Sequence, residues 1–156
     1  MIYVFDTSSL SKFKHFYPGV FKSVWHGLDE LVKQKQLIST KEVWNEMERG
    51  NPDQYTNEWL KDRKEIFTIP SAAELRFVAE IFKISHFQAL IGEQQRLKGT
   101  PVADPFVIAC AKINKGTVVT EEQFKPNAAK IPNVCQHFQI PCIDLEKFMQ
   151  QQDWSF

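Results

Sequence analysis

The sequence predicts an α/β fold, a central and mostly parallel sheet of four to five strands with helices on both faces. Short β-prone apolar runs alternate with longer stretches in which apolar residues recur at helical spacing, the pattern of strand–helix–strand units. The first run, Ile2-Tyr3-Val4-Phe5, is apolar without interruption, as a strand covered on both sides requires. At 156 residues, 43% hydrophobic and 13% aromatic, the chain has the material for a sizeable core, so residues 1–156 are expected to form one domain.

The elements follow in order. Ile2 to Phe5 is the first strand, and Asp6 after it is suited to cap a helix near Ser9 to Phe16. Pro18-Gly19 punctuates the chain, after which Val20, Phe21, Val24, Trp25, Leu28, Leu31 and Val32 mark one face of a helix. Leu37-Ile38 is a second strand ended by Ser39. Ser39-x-x-Glu42 then has the form of a capping box and opens a helix through about Arg49, which Gly50-Asn51-Pro52 stops. A helix from about Pro52 to Arg63 precedes a third strand, Ile66 to Ile69. Ser71-x-x-Glu74 repeats the capping box and opens a long helical stretch, broken near Ser85 and resuming to about Lys98. Beyond the loop Gly99-Thr100-Pro101, Asp104-Pro105 is suited to cap a helix through Ala111. Thr117-Val118-Val119 forms the fourth strand, running into Thr120-Glu121-Glu122, and Ile140-Pro141-Cys142-Ile143 a short fifth.

Bulk properties narrow the function classes. Nineteen basic residues balance nineteen acidic ones, so net charge gives no sign of a basic surface for nucleic acid, and any such patch must be local. No apolar run reaches the length of a membrane span, and the N-terminus lacks the order of a secretory signal, so no membrane association and a cytoplasmic location are expected. Cys110, Cys135 and Cys142 form neither a C-x-x-C pair nor an even disulfide set and read as reduced, packed thiols. His15, His26, His86 and His137 are scattered without partners at zinc-ligand spacing.

In a parallel sheet the carboxyl ends of neighbouring strands share one edge, where residues distant in sequence converge. Asp6 follows strand one, Glu46 lies on the helix after strand two, Asp104 opens a helix and Glu122 follows strand four. Four carboxylates in one pocket repel unless a cation neutralises them, and hard oxygen donors suit Mg²⁺ or Mn²⁺. Each acid also has a plainer role: Asp6 and Asp104 as helix caps, Glu46 as an exposed helix residue, Glu121 and Glu122 as solvated loop residues. Glu42 is accounted for by its capping box with Ser39.

Four segments, VFDTSSL, LISTKEVWNEM, VADPFVIACA and TVVTEEQF, resemble the motifs of the PIN domain family, and together they span most of the chain. Asp6 matches the first acidic position, Glu46-Met47 the helical Glu-plus-apolar pair, and Asp104 with Ile108-Ala109-Cys110-Ala111 the third motif. Val119-Thr120-x-Glu122 resembles the Thr-x-Asp motif, with Glu122 in place of the usual aspartate and Glu121 as the possible substitute. The TEE and KIPNVCQHFQI features resemble the PIN-like group DUF4411. This resemblance implies a PIN-like three-layer fold and a metal-dependent endoribonuclease, very often the toxin of a toxin–antitoxin pair. It implies one or two Mg²⁺ or Mn²⁺ ions held by Asp6, Asp104, Glu122 and Glu46, RNA as substrate, and a cognate antitoxin as partner.

Around these acids, Ser8 and Thr120 are placed to orient carboxylates or water, or else to satisfy turn backbone. Lys12, Lys14 and Arg49 are candidate phosphate contacts, with Lys61, Arg63 and Lys64 as a further basic group. Trp44 and Trp59 are candidates for base stacking, against a default of core packing. The apolar residues Phe77, Val78, Ile81, Phe82, Ile84, Phe87, Leu90 and Ile91 belong to the core, to a homodimer seam or to an antitoxin groove. Two other classes stand beside the nuclease. An aspartyl-phosphate phosphatase needs a second acid where Ser8 stands, and a PIN-like interaction module would keep the fold without catalysis.

Overall fold

The computed structural model describes residues 1–50, 54–91 and 102–156. Strand β1 (Tyr3–Phe5) leads into α1 (Thr7–Ser11), a 3₁₀ turn (Lys12–His15) and α2 (Lys22–Lys33). Then come β2 (Leu37–Thr40), α3 (Lys41–Arg49), α4 (Gln54–Lys61), a 3₁₀ turn (Lys64–Ile66), β3 (Phe67–Thr68) and α5 (Ala72–Phe82). After the 3₁₀ segment Ser85–Leu90 the described chain continues with α6 (Asp104–Asn114), β4 (Thr117–Val119), α7 (Ile131–His137), β5 (Cys142–Ile143) and α8 (Leu145–Gln151).

The five strands form one parallel sheet in the order β3-β2-β1-β4-β5, with Tyr3 opposite both Leu37 and Thr117. This is the expected α/β architecture, and the strand order explains where its crevice lies. From β1 the chain adds β2 and β3 on one side, then returns to add β4 and β5 on the other. The boundary between β1 and β4 is therefore the topological switch point, where connections leave in opposite directions and a crevice opens at the carboxyl ends.

Side-chain alternation along β1 sorts the two layers. Tyr3 and Phe5 both pack edge-on against Phe148 of α8, at 4.9 and 5.0 Å between ring centroids, and Phe5 continues through Phe13 to Trp25 of α2. The spacing that predicts α2 also buries most of it, since Val24, Trp25, Leu28 and Leu31 face the core and Phe21 and Val32 pack against it partly buried, whereas Val20, expected on the same face, lies before the helix and is exposed. On the other face α6 lies across β1, β2 and β4 and is itself covered by α5 and α7. Sandwiched in this way, α6 buries Pro105 and every residue from Val107 to Ala111, so it carries no polar stripe.

Several boundaries differ from expectation for local reasons. Ser39 is not the cap of α3: it is the third residue of β2, and its hydroxyl donates to the Phe5 carbonyl at 2.6 Å. Thr40 caps instead, accepting from the Val43 N–H, so the cap is displaced by one residue and, with Val43 at the third helical position, the expected capping box does not form. Asp104 is likewise not a cap but the first residue of α6, behind Ala103, and the helix runs to Asn114 rather than Ala111. The helix after Asp6 starts at Thr7 and gives way to the 3₁₀ turn at Lys12. Ile66 falls in a 3₁₀ turn, leaving only Phe67–Thr68 as β3, and β5 is shortened to Cys142–Ile143. Beyond Ser85 the chain is 3₁₀ through Leu90, not a resumed α-helix; the expected continuation to Lys98, the loop Gly99-Thr100-Pro101 and the start at Pro52 lie outside the described residues.

Ile81, Phe87 and Leu90 are buried, and Phe77, Phe82 and Ile84 pack against the same cluster, so this segment serves the core. Trp59 is also core: it is buried, donates its indole N–H to Asp29, and carries Arg63 over its ring, with Arg63 paired to Asp29 at 2.6 Å. Trp44 is half-buried, packs on Phe67 and has Lys64 over its ring. Trp59 is thereby committed to the core. Among the described residues no helix is long and apolar enough to cross a membrane.

The turn from α6 into β4 requires glycine. Lys115 adopts the left-handed conformation, the Gly116 N–H returns to the Ala111 carbonyl, and a Cβ at Gly116 would lie 2.9 Å from the Ile2 carbonyl oxygen. Gly116→Ala should therefore push β4 away from β1 and cost about 1–3 kcal/mol in denaturant unfolding. Gly19→Ala, at a site with nothing within 4 Å, should stay within about 0.5 kcal/mol.

Candidate active site

Asp6 occupies the switch point. It is the N-cap of α1, its Oδ1 accepting the Ser9 N–H at 3.0 Å, and its own N–H donates to the Val119 carbonyl across the β1–β4 boundary. Its carboxylate receives the Ser8 hydroxyl on Oδ1 at 2.8 Å and the Thr120 hydroxyl on Oδ2 at 2.7 Å. Those two hydroxyl oxygens in turn accept the backbone N–H groups of Glu121 and Glu122. The capping role and a role in the site are thus held by one side chain. Ser9, which composition did not single out, sits 2.7 Å from the Val119 carbonyl and completes the tie. Only 4% of Asp6 is exposed, and burial pushes its carboxyl up while Thr120, Ser9 and Ser8 pull it down through hydrogen bonds.

The adjacent glutamates part company. Glu121 turns away: its Oε1 caps the Leu145 N–H at 2.8 Å and its Oε2 pairs with Lys12 at 3.2 Å. Glu122 turns inward, its Oε2 accepting the Ile131 N–H at 3.0 Å, and lines a pocket with Glu46 and Asp104. The sequence left this pair open because both residues lie on irregular backbone with no periodicity to orient them. Lys12, one candidate phosphate contact, is engaged by Glu121, whereas Lys14 and Arg49 are exposed outside the pocket lining.

Glu46 is a cross-brace as well as an acid. Its Oε2 accepts the Thr7 hydroxyl at 2.6 Å and its Oε1 accepts the Ala103 N–H at 3.0 Å, so one side chain on α3 joins the start of α1 to the start of α6. Ala103 directly precedes Asp104, and the brace sets the position from which Asp104 projects. Thr7 therefore positions Glu46, a link that adjacency to Asp6 alone does not reveal.

Asp104 differs from the other three. Among the described residues its carboxylate has no hydrogen-bond partner. Burial, followed by the charges of Glu122, Asp6 and Glu46, pushes its pKa up to about 8, with only Lys130 opposing. Burial raises Glu122 as well, countered mainly by the Ile131 N–H. The open pocket, of ≈ 450 Å³, is lined by Glu46, Asp104, Glu122, Lys130, Ala89, Leu90, Val102 and Ala129. Asp6 sits behind this lining and acts on it by its charge and its hydroxyl partners. Lys130, unanticipated from the sequence, is the pocket's cation among the described residues.

No three or more carboxylates, histidines or cysteines among the described residues are gathered into a ready-made metal cage. The donor set nonetheless fits a hard divalent cation by type: carboxylate oxygens around an open pocket, one of them without a partner and carrying a strongly raised pKa.

The raised pKa of Asp104 fixes the sign of a pH dependence. The folded state holds this proton more tightly than the unfolded chain, whose aspartate titrates near about 3.9. Its contribution to stability is full below about pH 4 and is lost as pH rises through about 8. In chelator, Asp104→Asn should remove that loss, so the variant gains on the wild type as pH rises across this range. Denaturant midpoints that fall in parallel for both proteins would contradict the assignment.

A family model described as "Domain of unknown function (DUF4411)" matches residues 3–156. No curated protein matches the sequence. Among solved structures, the chain is similar to VapBC2 from Rickettsia felis bound to a DNA fragment from their promoter, with a TM-score of 0.51, 16% identity, and coverage of 92% of this chain and 98% of that one. At that identity the likeness establishes a shared PIN-like architecture, and the family model extends over nearly the whole sequence. The chain belongs to the DUF4411 family and has a PIN-like α/β fold.

Proposed function

We propose that this protein is a metal-dependent endoribonuclease that hydrolyses RNA phosphodiester bonds and serves as the toxin of a toxin–antitoxin pair. The observation that carries the proposal is the convergence of Glu46, Asp104 and Glu122 on one pocket, with Asp6 immediately behind it at the switch point. Asp104, Glu122, Glu46 and Asp6 would hold one or two Mg²⁺ or Mn²⁺ ions. Such an ion, when bound, polarises a phosphate and lowers the pKa of water.

The protein's own residues do the positioning. The Ile131 N–H fixes Glu122, the Thr7 hydroxyl and Ala103 N–H fix Glu46, and Thr120 and Ser8 fix Asp6. Asp104 is left unrestrained among the described residues, and a cation close by would convert its carboxyl to the charged form by the same electrostatics that now raise it. A cognate antitoxin as partner is supported by the likeness in fold to VapBC2 and by the family resemblance of the four motifs.

A second reading, a PIN-like interaction module without catalysis, draws on a specific observation. Both oxygens of Asp6 and both of Glu46 are already committed to internal hydrogen bonds. If these bonds persist, the two acids are scaffolding and too few carboxylates remain to hold metal.

Cleavage of a pool of single-stranded and structured RNA, with Mg²⁺, Mn²⁺ or chelator, separates the readings. The wild type should cut only with metal and leave 5′-phosphate and 3′-hydroxyl ends. Asp6→Asn and Asp104→Asn should each lose roughly a hundredfold or more while melting cooperatively. Glu122→Gln should lose far more than Glu121→Gln, because Glu122 faces the pocket. Failure of the wild type to cut, or equal cutting by all variants, would favour the module.

A further inference from the structure

The segment joining β4 to α7 leaves the acidic pocket at Glu122 and returns to it at Ala129 and Lys130, which both line the pocket. Between these points it carries Phe124, 50% exposed, and Lys125, also exposed. Solvent gains nothing from a phenyl ring, and this one makes no ring contact with another aromatic among the described residues. The segment is nonetheless firmly built. The Asn133 side chain donates to the Lys125 carbonyl at 2.6 Å, the Ala128 N–H donates to the same oxygen, and Asn127 turns the chain in the left-handed conformation. Ile131, next to Lys130, is fully buried and gives its N–H to Glu122, so the bond that orients the acid also fixes the lysine's place on the rim.

Lys130 is exposed and in no close ion pair among the described residues, in contrast to Lys12, which pairs with Glu121 at 3.2 Å, and its charge acts at longer range on Asp104 and Glu122. A pocket lined by three acids repels any polyanion, and an anionic chain reaching it needs a cation at the mouth to offset that repulsion. An exposed aromatic on a hydrogen-bonded segment that also carries Lys125 and Lys130, at the edge of a pocket, is the chemistry that binds single-stranded nucleic acid by stacking and phosphate contact.

We propose that residues 123–130 form the surface that receives single-stranded RNA, with Phe124 stacking on a base and Lys130 holding a phosphate at the pocket mouth. The proposal deepens the nuclease reading and rests on it for the identity of the ligand. It sets Lys130 ahead of Lys12 as the phosphate contact, since Lys130 lines the pocket and Lys12, paired with Glu121, does not.

The test is RNA affinity in chelator, by fluorescence anisotropy with a labelled unstructured oligoribonucleotide and the full chain. Phe124→Ala should weaken binding roughly five- to a hundredfold, and Phe124→Trp should restore it. Lys130→Ala should weaken binding about equally for all sequences and lower the salt slope by roughly 0.7, with Lys130→Arg close to wild type. Both positions are exposed, so unchanged melting is expected and is checked alongside. Unchanged affinity in both alanine variants, absence of RNA binding by the wild type, or equal affinity for an RNA duplex would each overturn the proposal; unchanged affinity would assign Phe124 to a protein partner instead. Cleavage with Mg²⁺ or Mn²⁺ is scored separately. Cutting with unaltered affinities removes this surface and keeps the nuclease, whereas the expected affinity losses without cutting keep an RNA-binding surface and remove the nuclease.

Discussion

The carboxylate of Asp6 ties the two halves of the sheet together at their carboxyl ends, and the geometry of the site depends on that tie. β1 and β4 pair directly and α6 packs across both, but the chain departs in opposite directions beyond their ends. Asp6 carries the tie past the last strand residues by taking hydroxyls from Ser8 and Thr120, whose oxygens then fix the N–H groups of Glu121 and Glu122. A buried carboxylate is costly unless hydrogen-bonded, and here four hydrogen bonds work against the burial that raises its pKa. Removing the acid would leave the Thr120 and Ser8 hydroxyls and the Ser9 N–H in search of acceptors, a larger loss than the bonds themselves represent.

From this anchor the other acids are placed with unequal freedom. Glu46 and Glu122 are tied by backbone N–H groups, each tie also holding the start of a neighbouring helix, α6 for Glu46 and α7 for Glu122. Asp104 receives the electrostatic consequence of this arrangement, since three restrained carboxylates surround it and Lys130 is the charge that opposes them. The local rule that buried acids are paired is therefore met at three positions and broken at the fourth. Violations of this kind are expected where a site is built for something it must bind. A proton can relieve the conflict at neutral pH, and a cation bound in the pocket would relieve it as well, since positive charge favours ionised carboxylates.

The layers were legible in the sequence because burial dictates pattern. An apolar β1 needs cover on both faces, and the period of α2 matches its buried residues at Val24, Trp25, Leu28 and Leu31, while Val20, ahead of the helix, is exposed. The candidate acids were legible as residues that follow strands or face the same edge. Details set by tertiary contact were not. Ser39 has the spacing of a cap, yet its hydroxyl is claimed by the Phe5 carbonyl on the neighbouring strand, so Thr40 caps in its place. Glu121 and Glu122 are indistinguishable by pattern, and the N–H groups of Leu145 and Ile131, with Lys12 on the Glu121 side, send them opposite ways. Lys130 carries no local signature at all, because its place on the rim comes from the burial of Ile131 beside it.

A shared architecture at 16% identity cannot by itself carry an activity, since one fold hosts many chemistries. The distinction between nuclease and inert module lies instead in how strongly the internal hydrogen bonds of Asp6 and Glu46 compete with an incoming cation. The Asp6 bonds come from three hydroxyls, of Ser8, Ser9 and Thr120, and one N–H, and the Ser8 and Thr120 hydroxyls can rotate to donate elsewhere while keeping their oxygens on the Glu121 and Glu122 N–H groups. Glu46 is similar on one side only: the Thr7 hydroxyl can turn away, whereas the Ala103 N–H cannot without moving α6. The scaffold therefore survives the release of one Glu46 oxygen and one face of Asp6. That geometry leaves both acids able to brace the fold while still lending negative charge to the pocket that Asp104 and Glu122 line.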